Sequence, residues 1–235
     1  SISVVKKNYT KEIYNETIRL SSQSNKGVSI ARNNGVKISK YNYICFLDAD
    51  DEWKPNFLEK MADLIKEFPN ADVYSLAHIV NKEGKGIVKP KHGLPDGYLG
   101  YVDDFFESSS KGSVVKSSKV CVKKQPFLKI NGFPEGIVAG EDLYVWIRMA
   151  LNGKVACDMS YSVIVHQELD ESRGARKNSI PYPIIFFSNN KHLLKSKTLK
   201  RYLFTIFYKH FFNSLLSLKP KEASIRLKAY FKLLY

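Results

Sequence analysis

The chain has 235 residues, of which 44% are hydrophobic and 13% aromatic, so its composition excludes a disordered protein and predicts a packed core. The formal net charge of +14 is unevenly placed, because residues 181–235 carry 11 Lys and Arg against one acid, Glu222, while residues 1–180 carry a net charge of only +4. No uncharged apolar run is long enough to predict a membrane-spanning helix, and no secretory signal is recognised.

The first segments predict helices. Residues 2–20 form a weak helical pattern that breaks around residues 8–11. After a polar loop, Gly27 permits a tight turn, and the next helix is predicted to have an apolar face and to end or kink at Gly35. That face would comprise Val28, Ala31, Val36 and Ile38. Arg32 lies one turn into this helix, where it suits either a phosphate or a nearby carboxylate.

The next segment predicts a strand that ends in clustered acids. The apolar run Tyr43 to Leu47 is followed by Asp48, Asp50 and Asp51. Carboxylates so close together are costly unless a cation neutralises them, and oxygen ligands are those that Mg²⁺ and Mn²⁺ prefer. The alternative is an acidic turn that begins the next helix. The three cysteines, Cys45, Cys121 and Cys157, lie in separate apolar runs and are predicted to be free thiols.

The middle of the chain alternates helices and strands. Helical spacing from Phe57 to Phe68 predicts an amphipathic helix that ends at Pro69. A strand over 73–80, a turn over 81–86 and a short returning strand predict a hairpin. Residues 89–113 predict a long irregular insert with a short helix over 102–107, which we interpret as a substrate-facing loop. A strand over 113–122 and a short helix over 126–130 follow.

A second acidic feature begins the next helix. Gly140, Glu141 and Asp142 precede apolar positions at helical spacing, and Gly153 ends the pattern. A carboxylate at a helix start is either an ordinary N-cap or a base that the helix dipole keeps ionised.

Two short strands are predicted next, over 154–156 and 162–165. His166 ends the second of them, and a lone histidine there is either structural or a neutral metal ligand.

The basic tail predicts amphipathic helices. Apolar residues at helical spacing run from Leu199 to Leu218, Pro220 breaks the run, and a second pattern continues from Ile225. Basic, aromatic-rich helices of this kind either lie at a membrane interface or pack on the protein body with a basic solvated face.

Taken in order, these motifs resemble the family 2 inverting glycosyltransferases of GT-A fold. The series runs N-x-G-x-x-x-A-R-N-x-G, F-L-D-A-D-D, N-G-F, G-E-D-x-x-x-W-x-R and then His166, over roughly residues 1–175. The resemblance implies an α/β fold that is Rossmann-like, with a mixed, mostly parallel sheet flanked by helices, followed by C-terminal amphipathic helices. It also implies a glycosyltransferase domain over 1–178 and a basic, aromatic-rich helical tail over 179–235.

The resemblance assigns roles to individual residues. Asp142 matches the catalytic base, with Glu141 as the alternative. Asp48 and Asp50 match the D-x-D pair, with Asp50 the direct metal ligand and Asp48 nearer the nucleotide ribose. Arg32 matches a residue on the nucleotide side. Asp51 is implied as a further metal ligand, and His166 lies near a position that in some members completes the metal or pyrophosphate site.

Family members also begin with a strand and an acidic loop that grip the uracil base. This chain starts after the point where that loop should end, so the resemblance predicts an N-terminally incomplete domain.

The implied reaction is metal-dependent transfer from a nucleotide-sugar, expected to be a UDP-sugar, with Mg²⁺ or Mn²⁺. The expected acceptor is a glycan or lipid-linked molecule in cell-envelope polysaccharide synthesis. The expected location is cytoplasmic, at the inner face of the membrane, with residues 181–235 in peripheral contact with anionic lipid and with no nucleic-acid partner. The alternatives are a non-catalytic membrane- or polyanion-binding protein and a metal-dependent nucleotidyltransferase.

Overall fold

A computed structural model of the chain describes residues 2–167 and 179–216, together with residues 221, 224, 225, 227, 228 and 231. The helices are α1 (Ile2–Asn8), α2 (Thr10–Tyr14), α3 (Val28–Ile38), α4 (Phe57–Glu67), α5 (Phe105–Lys111), α6 (Lys124–Lys129), α7 (Glu141–Asn152), α8 (Tyr182–Asn189) and α9 (Lys197–Leu216). The strands are β1 (Tyr43–Cys45), β2 (Asp51–Trp53), β3 (Ala71–Lys82), β4 (Gly86–Val88), β5 (Leu99–Tyr101), β6 (Val120–Lys123) and β7 (Lys154–Gln167). None of the described helices is long and apolar enough to cross a membrane.

The strands form one mixed sheet, which confirms the predicted α/β class. Its main order is β1-β6-β3-β7-β2, with β4 added to β3 and β5 added to β7. The long strands β3 and β7 pair in parallel along their length, and the other pairings of the described strands are antiparallel. This order puts β2, which begins with an aspartate of the first acidic loop, beside the end of β7.

Helices cover both faces of the sheet. Successive side chains of a strand point to opposite faces. On β3, Tyr74 and Leu76 pack with the α4 residues Phe57, Met61 and Leu64. Val73 and Ala77 belong instead to the core that α7 and the tail helices share. The amphipathic prediction for α4 is confirmed, except that Leu58 is exposed.

The tail helices α8 and α9 pack on the body. Leu199, Leu203, Ile206 and Phe207 of α9 are buried in the same core cluster as Trp146 of α7. For these residues, packing on the body is therefore the arrangement found, whereas the predicted helix from Ile225 onward lies mostly outside the described residues. The predicted domain boundary after residue 178 also falls at a segment, 168–178, that the structure does not describe.

Several sequence predictions differ from the structure. The first predicted helix is two short ones, α1 and α2, with no buried residue. Helix α3 continues past Gly35 to Ile38 and buries Val36 of the predicted apolar face, but Val28, Ala31 and Ile38 are exposed. Ser29 and Asn33 are buried in their place, and Asn33 binds the Phe133 backbone. The two short strands over 154–156 and 162–165 are one strand, β7, whose pairing with β3 has register shifts around residues 158–160.

The region before β6 also differs. The strand predicted over 113–122 is only Val120–Lys123, preceded by a 3₁₀ turn over Ser117–Lys119. The insert contains β5 and α5, and the predicted short helix begins later, at Phe105. All three cysteines are free, as predicted.

A buried basic cluster lies beneath the insert. His78 of β3 and His92 of the insert are 3% and 5% exposed, and their ring centroids are 4.9 Å apart. Lys119 is fully buried beside them and donates a hydrogen bond from Nζ to the carbonyl of Ser113 at 2.6 Å. Burial lowers the pKa of His78 to about 2, that of His92 to about 4 and that of Lys119 to about 7. Both imidazoles are therefore held uncharged at neutral pH.

Candidate active site

The predicted site residues line one cleft of about 580 Å³. The first acidic loop, the start of α7, two side chains of α3 and the end of β7 all reach it. The residues predicted from the sequence are Arg32, Asp48, Asp50, Asp51, Glu141, Asp142 and His166, and the cleft also includes Lys116 and His210, which were not predicted. Groups that are distant in sequence therefore share one solvent-accessible space.

The first acidic loop folds as a tight turn between two strands. Phe46 continues β1 by donating its N–H to the carbonyl of Val120, and its ring is buried. The N–H of Asp51 then donates to the carbonyl of Asp48 at 3.0 Å. In this turn each of the three aspartates can offer one carboxylate oxygen within 4.8 Å of the others. This is a donor set of the kind that a hard divalent cation prefers.

The three carboxylates differ in how the protein holds them. Asp51 accepts a hydrogen bond from the Ser118 hydroxyl at one oxygen and from the His166 backbone N–H, at 3.1 Å, at the other. Burial raises the pKa of the Asp51 carboxyl, while the hydrogen bond from Ser118 lowers it. Asp50 is exposed, so its oxygens are the more accessible ones for a ligand.

Arg32 joins the two acidic features. Its Nη2 forms an ion pair with Asp48, and its Nη1 lies 3.8 Å from Oε1 of Glu141. The guanidinium carbon lies 5.1 Å from the centre of the Phe133 ring, and the side chain is only 13% exposed. The sequence left open whether Arg32 pairs with a phosphate or with a carboxylate. In the structure it contacts carboxylates.

The residue after Arg32 anchors the N-G-F motif. Asn33 donates from Nδ2 to the Phe133 carbonyl at 2.8 Å, and the Phe133 N–H donates back to Oδ1 at 2.9 Å. Gly132 has a φ of +64°, and a Cβ there would lie 2.6 Å from Asn33 Oδ1. The motif therefore needs glycine both for its backbone conformation and for this close approach.

The second acidic feature begins α7 without a side-chain cap. The N-cap residue is Gly140, in the left-handed conformation with φ +78°, so the N-cap interpretation of Asp142 is wrong. Oδ1 of Asp142 instead accepts a hydrogen bond from the N–H of Leu143 at 2.7 Å. The carboxylate therefore lies at the positive end of the helix dipole.

His166 enters the site mainly through its backbone. Its N–H binds Asp51, whereas ring Nδ1 lies 3.4 Å from Nδ2 of Asn81 and ring Nε2 lies 3.7 Å from Oε2 of Glu52. Among the described residues, the metal-ligand cluster comprises the three aspartates and does not include this ring.

Three residues of the site were missed by sequence reasoning. Lys116 and Ser118 come from the turn before β6, and the charge of Lys116 is one of the causes that lower the pKa of Asp51. His210 comes from α9. No local pattern marked any of the three, because their positions depend on how the insert and the tail fold over the sheet.

Comparisons with known proteins agree with this arrangement. A model of glycosyl transferase family 2 matches residues 5–115. A putative teichuronic acid biosynthesis glycosyltransferase, TuaG of Bacillus subtilis, is 22% identical over 155 residues, which are 66% of this chain and 58% of that protein. The poly(ribitol-phosphate) beta-N-acetylglucosaminyltransferase TarP of Staphylococcus aureus is 31% identical over 145 residues, which are 59% of this chain and 42% of that one.

Solved structures show the same fold. The S. aureus TarS 1–349 structure in complex with UDP-GlcNAc has a TM-score of 0.56 at 15% identity, covering 96% of this chain and 60% of that one. TarS 1–349 in complex with UDP has a TM-score of 0.54 at 16% identity. The chain thus spans 58% of the length of TuaG and 60% of the TarS chain bound to UDP-GlcNAc.

Proposed function

Because residues 5–115 of this chain belong to glycosyl transferase family 2 and its fold is of the GT-A type, we propose that it transfers a sugar from a nucleotide-sugar, specifically a UDP-sugar, to an acceptor hydroxyl. The reaction would be an inverting single displacement. Donors related to UDP are favoured because the TarS structures of the same fold were solved with UDP-GlcNAc and UDP. The acceptor would be a glycan or a lipid-linked molecule.

One observation carries this proposal: a carboxylate cluster and a helix-start carboxylate, Asp142, line the same cleft. Sugar transfer from a nucleotide-sugar uses carboxylates in two different roles. One group must organise the diphosphate end of the donor, and another must take the proton of the attacking hydroxyl.

The donor side is supported by the charges around the first acidic loop. Asp48 and Asp50 offer oxygen ligands for Mg²⁺ or Mn²⁺, with Asp51 beside them, and these residues fit such an ion because their oxygens lie within 4.8 Å of one another. When bound, the ion would neutralise charge on the diphosphate leaving group. Lys116 and Arg32 line the same cleft and add positive charge on this side.

The acceptor side is assigned to Asp142. Its carboxylate would take the proton of the acceptor hydroxyl while that oxygen bonds to the anomeric carbon and the bond from that carbon to the diphosphate breaks. A single attack opposite the leaving group inverts the anomeric centre. Glu141 is the second choice, because it lies within 3.8 Å of Arg32 and is only 13% exposed.

We assign His166 a supporting role. Its backbone N–H helps to orient Asp51, and a rotation of its ring away from Glu52 would be needed before it could serve as a metal ligand.

We also propose that the protein works at the cytoplasmic face of a membrane. Phe204, Tyr208 and Phe212 lie four residues apart on α9 and are 40–48% exposed, and Lys197 and Lys200 of the same helix are exposed as well. An exposed aromatic row beside basic side chains suits the interface of an anionic bilayer. An anionic envelope glycan is a plausible product class, since the relatives TuaG and TarP carry teichuronic acid and poly(ribitol-phosphate) in their names.

The alternatives have less support. A non-catalytic polyanion binder does not need the cleft to join Asp142 with the aspartate cluster. A nucleotidyltransferase needs the cluster, but the match to family 2 favours sugar transfer.

The test is transfer by an Asp142→Asn variant. With a panel of UDP-sugars and envelope glycans, the wild type should release UDP in an acceptor-dependent manner, and the variant should lose on the order of 100-fold or more of that rate. The affinity for UDP with Mn²⁺, measured by calorimetry, should be nearly unchanged. Asp63→Asn, on the exposed side of α4, is the matched control. Near-normal transfer by Asp142→Asn would exclude Asp142 as the base.

A further inference from the structure

A second cavity of about 610 Å³ adjoins the catalytic cleft. His210 lines both spaces, and Leu143, the residue after Asp142, belongs to the wall of the second one. Tyr202 of the same wall is buried, and burial, followed by the charge of Asp142, raises the pKa of its hydroxyl. The cavity therefore begins beside the residue proposed to act as the base.

The polar rim of this cavity is basic. Lys91, Lys111 and Lys209 line it, and among the described lining residues there is no Asp or Glu. Glu107 of α5 pairs with Lys111 at 3.0 Å and with Arg201 at 3.1 Å. Among the described residues neither Lys91 nor Lys209 forms an ion pair, so both can attract an anion from outside.

The rim is held in place by close backbone contacts. The N–H of Ser113 donates to the carbonyl of Lys91 at 3.0 Å. A Cβ on Gly112 would lie 2.5 Å from that same carbonyl oxygen, so only glycine allows the two segments to approach this closely. The position of Lys91 is therefore built into the fold and does not depend on a loose loop.

The inner wall is aromatic and contains an unused donor. Trp146 is 2% exposed, and its indole N–H has no hydrogen-bond partner in the part of the chain that the structure describes. Phe105 and Ile206 complete an apolar surface beside it. Sugar-binding sites need both features, since aromatic faces pack against apolar ring surfaces and isolated donors bind hydroxyls. The volume is in the range of ordinary small-ligand sites.

We propose that this cavity is the acceptor subsite and that it takes a glycan or polyol chain with repeating negative charge. The proposal rests on the proposed function, because it places an acceptor hydroxyl next to Asp142. The lysines at the rim bind the anionic groups, and the aromatic wall holds the unit whose hydroxyl enters the cleft. The repeating anion is either a phosphodiester or a carboxylate.

Calorimetry of the full chain tests this with four ligands of equal length. These are a glycerol phosphodiester oligomer, an oligogalacturonate, a neutral maltooligosaccharide and a single-stranded oligonucleotide. We expect one of the first two to bind, with affinity that falls as salt rises, and the neutral oligomer to bind much more weakly. Which of the two binds distinguishes phosphate from carboxylate.

The variant Lys91→Glu/Lys209→Glu should weaken that binding on the order of tenfold or more. The matched control Lys66→Glu/Lys37→Glu makes the same change in net charge on α4 and α3, away from the cavity, and should bind like the wild type. UDP binding with Mn²⁺ should be the same in all three proteins, which separates this question from donor recognition.

Equal binding of the neutral and anionic oligomers would overturn the proposal, as would equal loss of binding in both double variants or tighter binding of the oligonucleotide. If the wild type bound UDP and no anionic oligomer, the subsite assignment would fail while the proposed donor chemistry stood. If it bound the anionic oligomer and not UDP, the donor proposal would fail instead.

Discussion

Arg32 and Glu141 lie 3.8 Å apart, from Nη1 to Oε1, although 108 residues separate them in the chain. Arg32 also pairs with Asp48, so one guanidinium stands between two acidic motifs. Its side chain is mostly buried, and such a counter-ion cannot be lost without leaving carboxylates that face each other.

We therefore expect Arg32→Ala to lower the free energy of unfolding by about 3 kcal/mol, since breaking a mostly buried ion pair leaves uncompensated charge. Urea unfolding at neutral pH measures the loss. Arg32→Lys keeps the positive charge without the planar guanidinium, so its free energy of unfolding should lie between those of the wild type and Arg32→Ala. If Arg32→Ala unfolded at the same urea concentration as the wild type, the ion pair would make no contribution to the stability of the fold.

The contact between Asn33 and Phe133 gives a second prediction. Asn33→Ala removes two hydrogen bonds and leaves the backbone N–H and carbonyl of Phe133 unpaired in a buried place, which should cost about 2–3 kcal/mol. Its neighbour Asn34 donates a hydrogen bond to Gln23 at the surface, so Asn34→Ala should change stability by less than about 0.5 kcal/mol. Equal effects of the two substitutions in thermal unfolding would contradict this assignment.

The aspartate cluster predicts unequal effects on metal-dependent donor binding. Asp50→Ala removes the most exposed carboxylate and should weaken UDP binding in the presence of Mn²⁺ on the order of 100-fold, whereas Asp51→Asn should weaken it about tenfold. Calorimetry with Mn²⁺ and with EDTA measures both, with Asp63→Ala as the control. The prediction fails if Asp50→Ala retains the wild-type difference between Mn²⁺ and EDTA.

The buried histidines predict an acid-sensitive fold. The pKa of His78 is lowered to about 2 and that of His92 to about 4, whereas an unfolded histidine titrates near 6.5. Below pH 6.5 the unfolded state binds protons that the folded state does not, so stability is present in full above that pH and falls as the pH drops toward 4. The slope should reach about 1.4 kcal/mol per pH unit for each histidine.

Urea unfolding between pH 7 and pH 5 measures this slope. A His78→Gln/His92→Gln variant should show a flatter dependence, whatever its stability at pH 7. An unchanged slope in that variant would assign the acid sensitivity to other groups.

The outer face of α9 gives a membrane prediction. The triple substitution Phe204→Ser/Tyr208→Ser/Phe212→Ser should reduce flotation with anionic vesicles severalfold, because it removes exposed aromatic surface without touching the buried face. Leu203→Ala acts on that buried face and should instead lower stability by about 2–5 kcal/mol. Undiminished flotation of the triple variant would exclude this face as the lipid contact.

Much of the architecture follows from simple periodicity. Helices α4 and α7 were predicted because their apolar positions repeat at helical spacing, and β3 because residues 73–80 are strand-like and precede a turn. Strand β7 was divided in two because Asp158 and Ser160 interrupt its apolar pattern where the pairing with β3 is irregular. On α3, three residues of the predicted apolar face, Val28, Ala31 and Ile38, are exposed. The prediction failed there because the polar residue Asn33 is buried through hydrogen bonds that no hydropathy pattern can reveal.

The site divides in the same way. Its acids follow strand and helix boundaries and were recognisable as an ordered set. Lys116, His210 and Ser118 were not recognisable, since the first two reach the cleft, and Ser118 reaches Asp51, only through the folding of the insert or the tail over the sheet. Sequence patterns indicate which acids a chain offers, whereas long-range packing decides which bases surround them.

Helix α9 has a practical consequence for building hybrid enzymes. It contributes His210 to the catalytic cleft and Tyr202 and Lys209 to the cavity beside it, although it follows the recognised family segment by about eighty residues. A hybrid that joined the first half of this chain to the tail of a relative would combine the acidic residues of one protein with cleft and cavity walls from the other. Exchange of residues 5–216 as a single cassette would keep the α9 side chains together with the carboxylates of the same protein.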